Sequence, residues 1–175
     1  MTMEQHLRTA HVQARLLGIK WCKELLFTKV LGVVEEIPKL TDQYFEEIPL
    51  HKALGVKLEK RSADYARISL KSSDTTQGGV AGGIHGGVMA ALVDIATIAA
   101  LFNTQTKDLE GYQPAGTADL NITYLRPALS PIIFAEAKVV KRGKMLAMIE
   151  VDIKDDNGTL CAKGRTLYAF RKEST

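Results

Sequence analysis

The stretch QGGVAGGIHGGVMAALVDIATIAALF, Gln77 to Phe102, decides how the rest of the chain is read. From Val88 onward it is apolar on nearly every face, so a helix formed there has no side suited to water and must be wrapped by other elements. Ahead of it stand glycines at 78, 79, 82, 83, 86 and 87, grouped around His85. Between His85 and Lys107 the chain carries a single charged residue, Asp94, in the middle of the apolar run.

The flanks of this helix read as strand. Upstream, Val56 to Lys60 and Tyr65 to Leu70 alternate apolar and polar residues, a hairpin turned at Arg61 to Asp64. Downstream, four strands are expected: Ala118 to Leu125, closed by Arg126-Pro127, then Ile132 to Val140, Met145 to Ile153 and Thr159 to Phe170. Lys141 to Lys144 and Asp155 to Gly158 turn between the last three, the second with the Asn-Gly pair that favours a tight hairpin. Two strands, one wholly buried helix and four antiparallel strands make an α+β fold, a curved antiparallel sheet rolled around a central helix.

The N-terminal segment has a different character. Leu7, Ala10, Ala14, Leu17, Trp21 and Leu25 recur at helical spacing between Glu4 and Val34, with Gly18 and Gly32 weakening the pattern and a basic polar side. Glu35 to Glu47 is acidic and, with Pro38 in it and Pro49 after it, reads as a linker or a short second helix. Residues 1–50 therefore read as a helical extension and 51–171 as the main domain. The extension packs on the core or on a partner subunit, or lies as a basic amphipathic helix on a membrane surface.

Composition narrows the function classes. The chain has 175 residues, 46% apolar and 25% charged, which suits one globular domain rather than disorder. A net charge of +3, aromatics at 6% and no Lys/Arg run argue against nucleic acid as a partner. No apolar stretch is long enough to span a membrane, and no signal peptide is visible at the start. Cys22 and Cys161 are the two cysteines, far apart and without metal-ligand spacing. A soluble cytoplasmic protein without a metal is expected.

The glycine segment does not fit a nucleotide site. A dinucleotide fingerprint needs a parallel strand before its helix, and a phosphate loop needs Gly-Lys-Ser/Thr, whereas Gly87 is followed by Val88-Met89. Glycines here permit tight turns and close packing of helix on sheet. They also leave a helix N-terminus uncovered, where unpaired N–H groups carry partial positive charge and can stabilise a developing oxyanion. Asp94 adds a second element. A buried carboxylate needs donors, or desolvation raises its pKa, which suits a general base, unless it pairs structurally with a cation such as Arg126. Gly86 and Asp94 are eight residues apart, about 12 Å along a helix. Both must lie within roughly 3 to 4 Å of one carbonyl to act on it. One helix cannot do this, and two antiparallel helices from two copies of the chain can.

Gly82 to Asp94 (GGIHGGVMAALVD) and Ala118 to Ala128 (ADLNITYLRPA), with Lys163 to Phe170 fitting more loosely, make the chain resemble the hotdog-fold acyl-CoA thioesterases of the PaaI-like type. That resemblance covers about residues 50 to 171. It implies a sheet wrapped around a long helix, paired into a homodimer with shared sites and often into a homotetramer. It implies hydrolysis of an acyl-CoA thioester without a cofactor, CoA being part of the substrate. The Gly86 amide polarises the carbonyl, His85 supports it, Asp94 of the facing subunit activates water or attacks the acyl carbon, and Thr117 holds the water. Gly87 belongs to the same substrate-binding turn. Arg126 and the basic turn Lys141, Arg142 and Lys144 lie near the CoA phosphates. Relatives carry Asn or Gln where this chain has Gly79, so Gln77 is the candidate for that role. A non-catalytic acyl-CoA-binding or sensing protein is the alternative, and it would be expected to lack the acid.

Overall fold

The structure, a computed structural model, describes residues 41–102 and 111–172. The helix expected between Glu4 and Val34 lies outside the described residues. Two short helices open the fold, α1 (Asp42–Glu47), capped by the Thr41 side chain, and α2 (Pro49–Leu54). Strands β1 (Lys57–Ser62) and β2 (Tyr65–Lys71) follow, then the long helix α3 (Gly86–Leu101). Strands β3 (Tyr112–Tyr124), β4 (Ile132–Arg142), β5 (Leu146–Asp155) and β6 (Leu160–Lys172) complete it. The six strands form one antiparallel sheet in the order β1-β2-β4-β5-β6-β3, which leaves β1 and β3 at its edges.

Periodicity explains why the sheet curls on the helix. Ala66, Ile68 and Leu70 on β2, Ile133, Ala135 and Ala137 on β4, and Ile149, Val151 and Ile153 on β5 alternate inward and are fully buried. They meet Leu92, Val93, Ala96, Ala99 and Ala100 of α3 in one core. Small residues let the helix settle closely onto β6. A Cβ added at Gly164 would stand 2.6 Å from both Val93 methyls. One turn on, the buried Thr97 hydroxyl donates to the Val93 carbonyl at 2.9 Å and lies 2.8 Å from that of Thr166. Both hydroxyls are thereby partnered, which a buried polar atom requires.

Phe45 on α1, within the segment read as the extension, is fully buried in the common core. Strand β3 begins six residues earlier than Ala118, at Tyr112. Pro114 and Gly116 hide this part, and the register slips between Pro114 and Gly116 and again between Thr117 and Asp119. A proline is tolerated there because β3 is an edge strand.

Candidate active site

The N-terminal turn of α3 is held from three directions. His85 is its N-cap, with extended backbone, and its N–H donates to the Thr76 carbonyl at 2.8 Å. The His85 carbonyl accepts from Val88 N–H at 2.9 Å and Met89 N–H at 3.1 Å. His85 Nδ1 accepts from Gly87 N–H at 2.9 Å. These bonds engage every amide of the turn but one. The Gly86 N–H has no acceptor among the described residues, and Gly86 lines a cleft of about 540 Å³. An unpaired N–H at the start of a 16-residue helix is a preformed seat for a partial negative charge.

The cleft lies between this turn and the end of β3. His85, Gly86, Gly87 and Met89 line one side, and Tyr124, Leu125 and Arg126 the other. Tyr124 donates its hydroxyl to the Gly86 carbonyl at 2.8 Å. The exposed Arg126 side chain is in no ion pair among the described residues.

Asp94 sits two turns further along α3 and is half-buried. Its Oδ1 accepts from the Thr117 hydroxyl on β3 at 2.6 Å. The sequence left open a structural ion pair with Arg126; the observed partner is Thr117 instead, so the carboxylate is held by a neutral donor. Thr117 pairs in register with Tyr168 on β6, which is 7% exposed and packs against Phe102 and Phe170. Burial and, secondarily, the Asp94 charge push the Tyr168 hydroxyl up. His51 on α2 also feels that charge. Burial lowers its pKa, opposed by the bond from its Nδ1 to the Phe45 carbonyl at 2.8 Å and by Asp94.

The expected site residues thus fall into three places. His85, Gly86, Gly87 and Arg126 meet at the cleft. Asp94 and Thr117 meet each other and do not line it. Gln77, Arg142 and Lys144 are not cleft residues of this chain. The Gln77 amide donates to the Ser72 hydroxyl at 2.9 Å. Arg142 is committed at the opposite end of α3, where it bonds Asp64 at 2.5 Å and the Leu101 carbonyl at 3.2 Å, a cation at a helix C-terminus. Gly79 cannot be replaced by a carboxamide residue without moving the loop, since a Cβ there would stand 2.4 Å from the Ile84 carbonyl oxygen. Tyr124 was not singled out from the sequence, although it stands inside the ITYLRPA stretch.

Comparison with known proteins places this arrangement. Residues 81–162 match the model of the thioesterase superfamily. A Saccharolobus solfataricus protein named as an esterase is 32% identical over 134 residues, covering 76% of this chain and 86% of its own length. The medium/long-chain acyl-CoA thioesterase YigI of Escherichia coli is 24% identical over 149 residues, covering 79% of this chain and 96% of its own. Among solved structures, a conserved protein of Pseudomonas aeruginosa superposes with a TM-score of 0.65 at 19% identity, over 75% of this chain and all of that one. The PaaI protein of Escherichia coli does so with a TM-score of 0.58 at 21% identity, over 67% and 85%. These two likenesses concern the fold. With a sheet wrapped on a buried helix and an open amide at that helix's start, the chain belongs to the thioesterase superfamily, as a hotdog-fold hydrolase of thioesters.

Proposed function

We propose that the protein hydrolyses an acyl-CoA thioester at sites shared between two copies of the chain. The observation that carries this is the spacing on α3: an open Gly86 amide at the cleft and a carboxylate about 12 Å further along the same helix. A second α3, antiparallel to the first, brings its Asp94 to the first copy's cleft and receives the reciprocal contact, an isologous pairing.

In this scheme the thioester carbonyl oxygen docks on Gly86 N–H. Asp94 of the second copy takes a proton from water as the water oxygen attacks the acyl carbon. Thr117 orients that carboxylate through the bond it already makes. The tetrahedral oxyanion is stabilised by the same amide, in a seat formed before the charge appears. Its collapse breaks the C–S bond, and the departing CoA thiolate takes up the proton that Asp94 removed from water, leaving the free acid, CoA and the regenerated carboxylate. Arg126 at the cleft's edge is the cation available to a CoA phosphate. No step calls for a metal or a bound cofactor. The chemistry asks only for an acid–base group and an oriented amide.

The test is thiol release from a panel of acyl-CoAs by the wild type and by Asp94→Asn, an isosteric change. Release by the wild type and a loss of at least about 100-fold in the variant is expected. Tight CoA binding without release from any chain length would instead make the protein an acyl-CoA-binding module.

A further inference from the structure

We propose that Tyr124 is a positioning residue that, together with His85, clamps the Gly86–Gly87 peptide and so fixes the direction of the open Gly86 amide. Gly86 lies between two peptide planes, and its backbone conformation is the angle at which they meet. The plane before it is pinned by the His85 carbonyl, which accepts from Val88 and Met89. The plane after it is pinned at both ends: its carbonyl oxygen accepts from Tyr124 Oη at 2.8 Å, and its N–H donates to His85 Nδ1 at 2.9 Å.

Such a clamp has a reason in the sequence. Two successive glycines open this helix, and glycine loses more freedom on ordering than any other residue, so the turn is prone to fray. No side chain at 86 or 87 restrains it. The restraint comes from outside, from a tyrosine 38 residues away at the end of β3. Its ring lies flush against Gly86: a Cβ built there would be 3.4 Å from ring atoms Cε1 and Cζ. The clamp also fixes His85. Because Nδ1 accepts from Gly87, the neutral ring carries its proton on Nε2.

This inference rests on the proposed hydrolysis for its catalytic meaning, and two readouts separate the two. The variant is Tyr124→Phe, which keeps the ring and removes the hydroxyl. Thiol release should show kcat reduced about tenfold with KM within about twofold, because a preorganising bond is lost and no substrate contact is. In parallel, the 15N–1H amide signals of Gly86 and Gly87 should shift and the Gly87 amide should exchange faster, with remote amides and the unfolding temperature unchanged. Unmoved Gly86 and Gly87 signals would overturn the clamp. An unchanged kcat, or a raised KM at constant kcat, would overturn its positioning role, the second making Tyr124 a substrate contact. Absence of thiol release from every acyl-CoA by the wild type would overturn the hydrolytic reading and with it the catalytic meaning, while the amide signals would still decide the clamp.

Discussion

At its first turn α3 presents an open backbone amide to the cleft, whereas two turns further on it presents a carboxylate gripped by a neighbouring strand. The two regions are built from opposite materials. The first turn is open because atoms are missing: Gly86 has no side chain to cover its N–H, and the loop before it is so close that no side chain fits at Gly79. The middle is built of side-chain atoms: the Asp94 carboxylate, the Thr117 hydroxyl, and the nearly buried Tyr168 that the Asp94 charge reaches. Each region is therefore vulnerable in its own way. Adding atoms should break the first, and removing them the second.

The sharpest challenge to that contrast is Gly86→Pro. Proline is well tolerated at the first position of a helix, and the extended His85 before it suits a following proline. The substitution therefore removes the open N–H while leaving the helix able to form. Thiol release is expected to fall by roughly 100- to 1,000-fold, as for loss of an oxyanion donor, with little change in unfolding temperature. An active Gly86→Pro enzyme would show that the bare amide is not the electrophilic element.

A smaller effect belongs to the other region and is read as stability. Burial of His51 lowers its pKa in the folded protein. As pH falls, the unfolded chain therefore takes up this proton before the folded one does, and stability is lost through the ordinary histidine range and just below it. The loss can reach at most the slope of one proton, about 1.4 kcal/mol per pH unit. Chemical denaturation from pH 7.5 to 5 should show a shallower acid loss in His51→Gln than in the wild type. Parallel curves would mean that His51 protonates as easily folded as unfolded.

Much of the architecture was legible because burial imposes periodicity. Helix α3 and strands β4 to β6 stand where apolar spacing puts them. The start of β3 was not legible, because Pro114 and Gly116 break the alternation where an edge strand can accept the break. Helices α1 and α2 have six residues each, too short for a periodic signal, and Phe45 gives no local sign that it is core. Of the candidate site, the features that stand out by chemistry are the glycine-flanked helix start at His85 and Gly86 and one acid, Asp94, in an apolar run. Tyr124 was not, since its hydroxyl serves a backbone carbonyl 38 residues away and no spacing encodes that. Nor does spacing encode the partner of Arg142: the fold gives this residue of the basic turn Asp64, 78 residues distant in the chain.

The claim that the two regions of α3 act together only across two copies is tested most directly by mixing defects. Asp94→Asn and Gly86→Pro chains, each inactive alone, are co-expressed with distinct tags and the mixed species purified. If sites are shared, every mixed dimer carries one site with both defects and one with neither, so it should regain about half of wild-type thiol release. Activity no greater than that of the two parents would contradict the shared site.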